Sequence, residues 1–146
     1  MSLINDLYSE VILEHYKNPR NHEPIADADA TERGYNESCG DDIRVYVKLK
    51  EDRIEEVSFT GRGCAISQSS ASMMTDLLQG KTIGEAIAAI DSFKSMISGQ
   101  SEFPGDGEFE ELSALKGVVK LPVRIKCATL SWNTVRMALG KLKQQN

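Results

Sequence analysis

The chain has 146 residues, a length typical of one domain, and we expect residues 1–146 to fold as a single unit with its own core. Its formal net charge of −5 argues against a general nucleic-acid-binding surface, because neutralising phosphates needs clustered lysines and arginines. No apolar run approaches the ~20 residues that a membrane span needs, and the first ten residues lack a secretory-signal pattern. We therefore expect a cytoplasmic protein without membrane or nucleic-acid partners.

The first predicted element is an amphipathic helix, with apolar residues at helical spacing from about Ser2 onward. It ends at Asn18-Pro19, because the residue before a proline avoids the helical conformation. Residues 18–32 are polar and contain two prolines, which predicts a loop.

Alternating apolar and polar residues then predict strands that each bury one face. One strand covers residues 43–50, Glu51-Asp52 forms a turn, and a second strand covers residues 56–61. Together these segments predict a hairpin. A weaker signal of a further strand lies at residues 32–36.

Beyond Gly63 the apolar residues recur at helical spacing. The first predicted helix here ends at Gly80, a residue type that commonly closes helices. The next begins at a capping box formed by Thr82 and Glu85 and continues to Ile97.

The last third of the chain is less regular. Residues 98–107 are rich in glycine and predict an exposed loop, and a short helix follows that ends at Gly117. We expect residues 118–125 to be extended and interrupted by Pro122, and a last helix to begin at about Cys127. Because strands and helices are segregated, the predicted class is α+β, a small antiparallel sheet of about three strands covered by helices.

Each of the three cysteines lies at a break between predicted elements. Cys39 precedes a strand, Cys64 lies where a strand gives way to a helix, and Cys127 lies at the predicted start of the last helix. The free N–H groups and the dipole of a helix N-terminus favour a thiolate. We therefore expect lowered pKa values for Cys64 and Cys127.

Asp41 is the predicted oxygen ligand that accompanies the cysteines. It lies two residues after Cys39, and side chains at this spacing point the same way in extended chain. Three thiolates and one carboxylate form a four-coordinate shell that suits Zn²⁺, so we expect Cys39, Asp41, Cys64 and Cys127 to converge on one ion. Two alternatives stay open: the cysteines are ordinary buried residues, or Asp41 serves only a turn. Asp42 competes as a ligand but should point to the opposite face.

Other polar residues offer weaker signals. We expect His15 and His22 to be packed or at the surface rather than metal ligands. Lys120, Arg124 and Lys126 form a basic cluster before the third cysteine. This cluster is either a solvated edge or a set of charges that offsets the thiolates or steers an acidic partner.

Three segments around the cysteines form a specific combination of motifs. They are Asn36-x-x-Cys39-Gly40-Asp41, Gly61-x-Gly63-Cys64-Ala65-Ile66-Ser67 and Arg124-Ile125-Lys126-Cys127-Ala128-Thr129-Leu130-Ser131-Trp132. Together they resemble the IscU-like superfamily of iron–sulfur cluster assembly, and within it the SufU branch. The resemblance extends over nearly the whole chain, including residues 14–21.

Two features make the chain similar to SufU rather than to IscU scaffolds. IscU proteins carry a histidine just before the third cysteine, where this chain has Lys126. They also lack the additional helical and glycine-rich stretch that this chain has at residues 89–107.

The resemblance implies a zinc site made of Cys39, Asp41, Cys64 and Cys127. It implies as partner a cysteine desulfurase of the SufS type, a pyridoxal-phosphate enzyme whose persulfide sulfur Cys39 accepts and passes on to iron–sulfur assembly proteins. We expect Cys39 to be the sulfur that leaves the metal, because it lies in a glycine-flanked loop. Arg124 or Lys126 would then stabilise the released charge. The alternative function is an iron–sulfur cluster scaffold built on the three cysteines.

Overall fold

The computed structural model describes residues 9–104 and 106–145. The predicted helix start near Ser2 lies outside these residues. The described part of that helix, α1 (Glu10–Lys17), ends before Pro19 as predicted, with Asn18 as its C-cap.

A three-stranded antiparallel sheet forms the centre of the fold. Strands β1 (Ala30–Asn36), β2 (Asp41–Lys50) and β3 (Arg53–Arg62) pair in the order β1-β2-β3. The predicted hairpin is confirmed, and the weak strand signal near residue 32 corresponds to β1. The alternation in β2 buries one of its faces completely at Ile43, Val45 and Val47.

Two helices follow the sheet as predicted. Helix α2 (Ala65–Leu78) begins directly after Cys64, and Gly80 beyond its end adopts a φ of +79°. Helix α3 (Ile83–Ile97) begins with both hydrogen bonds of the Thr82–Glu85 capping box.

The end of the chain differs from the prediction. Two 3₁₀ segments cover Gly107–Phe109 and Glu111–Lys120, and helix α4 covers Pro122–Gln145. A helix end at Gly117, an extended stretch at residues 118–125 and a last helix starting at Cys127 were therefore wrong. Pro122 is the first residue of α4, where a missing N–H costs nothing because the first turn leaves its N–H groups unpaired.

Helix α4 packs across β1 and β2, and this packing fixes its position relative to the sheet. Trp132 of α4 is fully buried, stacks on Phe93 with ring centroids 4.1 Å apart, and donates a 2.9 Å hydrogen bond to Ser70 Oγ. Gly34 of β1 is in tight contact with α4, since a Cβ there would clash with Thr134 Oγ1.

The architecture is therefore α+β, a small antiparallel sheet with helices, as the sequence predicted. No helix among the described residues is long and apolar enough to cross a membrane.

The tight contact at Gly34 generates the first testable prediction. Gly34→Ala should lower the free energy of unfolding by about 1–3 kcal/mol, because the added methyl group overpacks the contact between β1 and α4. Urea unfolding measures the loss. In Gly34→Ala/Thr134→Ala the cost should be smaller than the sum of the single variants, because the clashing hydroxyl is gone. An unchanged midpoint for Gly34→Ala would show that α4 does not approach β1 this closely.

Candidate metal centre

The turn between β1 and β2 carries the first cysteine. Cys39 is half-buried, and Gly40 beside it has a φ of +70°, a left-handed conformation that suits glycine. Asp41 follows as the first residue of β2 and is fully buried. The sequence suggested that Cys39 and Asp41 share one extended segment. This expectation was wrong, because Cys39 lies in the turn and Asp41 in the strand. The turn brings their ligand atoms together instead.

Cys64 lies at the start of a helix as predicted. It is the N-cap of α2, and its sulfur accepts a 3.5 Å hydrogen bond from the backbone N–H of Ser67. Its own backbone N–H donates a 3.0 Å hydrogen bond to Asp41 Oδ1. The strand-to-helix junction thus holds this thiol next to the buried carboxylate.

Cys127 is not at a helix start, because α4 begins at Pro122 and Cys127 is its sixth residue. The residue is buried, and its Sγ lies 2.9 Å from Cys39 Sγ. The predicted helix-dipole effect on this thiol is therefore wrong.

Three of the four predicted ligands form one compact group. The ligand atoms of Cys39, Asp41 and Cys127 all lie within 4.8 Å of one another. Cys64 is not in this group but borders it, through the hydrogen bond from its backbone N–H to Asp41. The geometry therefore gathers residues from three distant segments, as a shared ligand shell requires.

Asn36 is a neighbour whose role the sequence reasoning missed. Its side-chain amide donates to Asp41 Oδ2 at 3.4 Å and to Cys127 Sγ at 3.7 Å. It is 9% exposed at the end of β1, opposite Asp41 in the strand register. Its position at the head of the first motif was the only sequence signal for it.

The residues present fit a zinc ion. Soft thiolates combined with one carboxylate are a donor set that zinc accepts. Gly63 leaves space beside the carboxylate of Asp41. A Cβ at this position would lie 2.5 Å from Asp41 Oδ1 and 3.0 Å from Ser67 Oγ. The buried hydroxyl of Ser67 has no hydrogen-bond partner among the described residues, so this side of the cluster retains an unused polar group.

The thiols differ in their ionisation. The hydrogen bond from Cys127 outweighs burial and lowers the pKa of Cys64 to about 6, with further help from the backbone N–H groups of Ser67 and Ile66. The same contact with Cys64, together with burial and the hydrogen bond to Cys39, raises the pKa of Cys127. Without a metal, Cys64 is therefore the more acidic of these two thiols.

The two predicted supporting residues also differ. Burial lowers the pKa of Arg124, but attraction to Cys64, hydrogen bonding to Cys127 and attraction to Cys127 and Cys39 outweigh it and raise the pKa. Arg124 thus contributes a positive charge to the thiol cluster. Lys126 is exposed, and its supporting role stays a prediction.

The three-stranded sheet with its helices and the thiol–carboxylate cluster define the IscU-like class of iron–sulfur cluster assembly domains. The chain belongs to the NifU-like N-terminal domain family, whose family model matches residues 7–146.

Relatives in this family carry two kinds of name. The chain is 44% identical, over 97% of its length and 87% of the relative's, to the iron–sulfur cluster assembly scaffold protein IscU of Streptococcus pyogenes serotype M1. It is 42% identical, over 94% of its length and 92% of the relative's, to the zinc-dependent sulfurtransferase SufU of Bacillus subtilis strain 168.

Solved structures agree with the fold. A protein described as an iron–sulfur cluster assembly scaffold for the SUF system of Fervidobacterium islandicum AW-1 aligns with a TM-score of 0.83 and 34% identity, covering 92% of this chain and 98% of that one. A NifU-like N-terminal domain from Brucella abortus aligns with a TM-score of 0.88 over 99% of this chain and all of that one. At 22% identity, the second match supports the fold alone.

The contrast between the thiols predicts their reactivity in metal-free protein. Alkylation of Cys64 by iodoacetamide should rise through a midpoint near pH 6 and level off above it, because its thiolate persists down to that pH. Cys127 should stay unreactive from pH 5 to 9, since its pKa is raised and it is buried. Peptide mapping by mass spectrometry measures both sites. Faster modification of Cys127 than of Cys64 at pH 7 would contradict this order.

Proposed function

We propose that the chain is a zinc-dependent sulfur acceptor, acting as a single domain over residues 1–146. The observation that carries the proposal is the arrangement of the cluster. Cys39 lies half-exposed on a turn with its sulfur 2.9 Å from Cys127 Sγ, while Asp41 and Cys127 lie buried behind it. One thiol can therefore meet a sulfur donor while the others stay enclosed.

Cys39, Asp41, Cys64 and Cys127 would together hold the ion. Bound zinc would keep the coordinating thiols deprotonated at neutral pH. The name of the Bacillus subtilis relative, a zinc-dependent sulfurtransferase, supports this choice of metal. A cytoplasmic setting would keep the thiols reduced.

The transfer step is an exchange of one sulfur–sulfur bond for another. The Cys39 thiolate attacks the terminal sulfur of the donor persulfide, and a new bond forms between Cys39 Sγ and that sulfur. The donor's own S–S bond breaks, and its electron pair leaves on the donor cysteine as a thiolate. A proton on a neutral persulfide stays with the transferred sulfur, so no external oxidant or reductant is needed.

The surrounding residues assist this step by charge and position. The positive charge of Arg124 in the thiol cluster would stabilise the negative charge that develops on sulfur during the transfer. At the turn residue Gly40, a Cβ would meet no atom within 4 Å, so the space beside Cys39 on this side is open. The proposed donor is a cysteine desulfurase of the SufS type, and the recipients are iron–sulfur assembly proteins.

A cluster scaffold is the second candidate function. The relative from Streptococcus pyogenes is named a scaffold protein and is similar over nearly all of this chain, which favours this alternative. Against it stands Lys126, in the position where the resemblance implies a histidine ligand in IscU scaffolds. An ammonium group has no lone pair to offer a metal.

Replacing the proposed acceptor tests the proposal. Cys39→Ala should abolish persulfide formation on the chain after mixing with a SufS-type desulfurase and cysteine, because the attacking sulfur is gone. Intact-mass spectrometry detects the added sulfur, and circular dichroism checks the fold. Ser38→Ala, an exposed neighbour in the same turn, is the matched control and should accept sulfur normally.

Two outcomes would count against the sulfur-acceptor function. Persulfide formation by Cys39→Ala at the wild-type rate would remove Cys39 from the role. Brown colour and acid-labile sulfide in anaerobically purified wild-type protein, without zinc, would favour the scaffold instead.

A further inference from the structure

The sheet has an open outer face at the end nearest the thiols. In β2 the residues that alternate with the buried ones are exposed or half-exposed, and at the thiol end these are Asp42 and Arg44. Farther along the same strand, Lys48 pairs with Asp27 of the loop before β1, so the loop borders the other end. The open part of the face is therefore next to the candidate metal centre.

Three arginines gather on this open face, one from each strand. Arg33 of β1 lies directly opposite Arg44 of β2, and Asp42 of β2 lies directly opposite Arg62 of β3. Arg33, Arg44 and Arg62, called the arginine patch below, all have exposed side chains. A chain with a net charge of −5 thus concentrates positive charge at one place.

Only one of the three guanidinium groups has its charge matched. Arg33 donates two hydrogen bonds to Asp42, at 2.9 and 2.8 Å. Within residues 9–104 and 106–145, neither Arg44 nor Arg62 forms an ion pair. Each guanidinium offers five N–H donors, so two of them keep most of their binding capacity.

This arrangement does not serve the stability of the sheet. Like charges directly opposite each other on neighbouring strands are destabilising, and Arg33 and Arg44 are such a pair. The single carboxylate of Asp42 offsets only part of the repulsion. A second carboxylate, supplied from outside, would complete the charge balance.

The surface also has a place for that carboxylate. A depression of about 240 Å³ lies between Arg44 and Arg62. Asp42, Thr60 and Gly61 also line it, and the Asp42 carboxylate there is held by its two hydrogen bonds from Arg33. Guanidinium groups bind carboxylates through paired hydrogen bonds, which gives the contact direction as well as strength. An acidic side chain of a partner protein fits this depression in size and charge.

The arginine patch is adjacent in sequence to the residues of the candidate metal centre. Arg62 is two residues before Cys64, and Asp42 follows Asp41. Tyr35 lies opposite Asp42 and is 54% exposed, with Arg33 over its ring at 5.3 Å. Tyrosine and arginine are among the residue types that contribute most to the binding energy of protein interfaces.

We propose that the arginine patch is the docking surface for the persulfide donor, and that an acidic side chain of the donor protein enters the depression between Arg44 and Arg62. This inference rests on the proposed function, since it names how the sulfur donor is oriented towards Cys39. Binding by charge mainly raises the rate of encounter and fixes the orientation of the partner.

Charge reversal with two kinds of donor tests the proposal. Arg44→Glu and Arg62→Glu should each lower sulfur acceptance from a SufS-type desulfurase by roughly tenfold at sub-saturating concentration and low salt. Both variants should accept sulfur at the wild-type rate from the persulfide of N-acetylcysteine amide, because this small donor has no carboxylate and needs no docking surface. Lys50→Glu makes the same change of charge at the opposite end of β2 and should match wild type with both donors.

The possible outcomes separate the docking surface from the proposed function. Wild-type acceptance from the desulfurase by both arginine variants would overturn the docking surface, as would an equal loss with both donors or with Lys50→Glu. Tight binding of a fluorescent DNA duplex that the same variants abolish would assign the patch to phosphates and also overturn it. Failure of the wild-type chain to accept sulfur from either donor would instead refute the proposed function.

Discussion

The buried carboxylate of Asp41 is the constraint on which the candidate site depends. An ionised carboxylate without solvent costs several kcal/mol unless it is paired. Its described partners are the N–H of Cys64 at 3.0 Å and the amide of Asn36 at 3.4 Å, neither of which carries a positive charge. Two thiol-bearing residues, Cys39 and Cys127, add potential negative charge within 4.8 Å. A divalent cation balances this group better than further hydrogen bonds would.

The scaffold delivers this cluster through three different junctions. A turn presents Cys39, the end of a strand passes into Cys64 as a helix cap, and the second turn of α4 carries Cys127. Because α4 is packed on the sheet through the close contact at Gly34, the position of Cys127 depends on the core. Local chain geometry positions the first two sulfurs, and tertiary packing positions the third.

The sequence predicted the parts of the structure whose patterns have a single interpretation. The strict alternation of apolar and polar residues predicted strand β2, and the capping box of Thr82 predicted the start of α3. The glycines beside Cys39 and Cys64 correctly indicated that these cysteines lie between secondary-structure elements. Pro122 misled the prediction, because a proline fits both an interrupted extended stretch and the first turn of a helix. That ambiguity moved the helix start by five residues and produced the wrong expectation for the pKa of Cys127. Contacts across the fold, such as those of Asn36 and Arg124, have no periodic signature.

The charges around the site have opposite signs on its inner and outer sides. Inside are a carboxylate and thiols, balanced in part by Arg124. Outside, the arginine patch faces solvent at the same end of the sheet. An anionic centre bordered by a cationic surface would suit the proposed encounter with a protein that donates persulfide sulfur.

We propose that Cys39, Asp41, Cys64 and Cys127 share one zinc ion. X-ray absorption at the zinc edge of purified protein tests it most directly, because scattering distances report the ligand types. We expect one zinc per chain, with three sulfur neighbours at ~2.3 Å and one oxygen at ~2.0–2.2 Å, and loss of the protein oxygen in Asp41→Ala. A zinc shell of oxygen and nitrogen alone, or folded protein that binds no zinc when it is supplied, would contradict it.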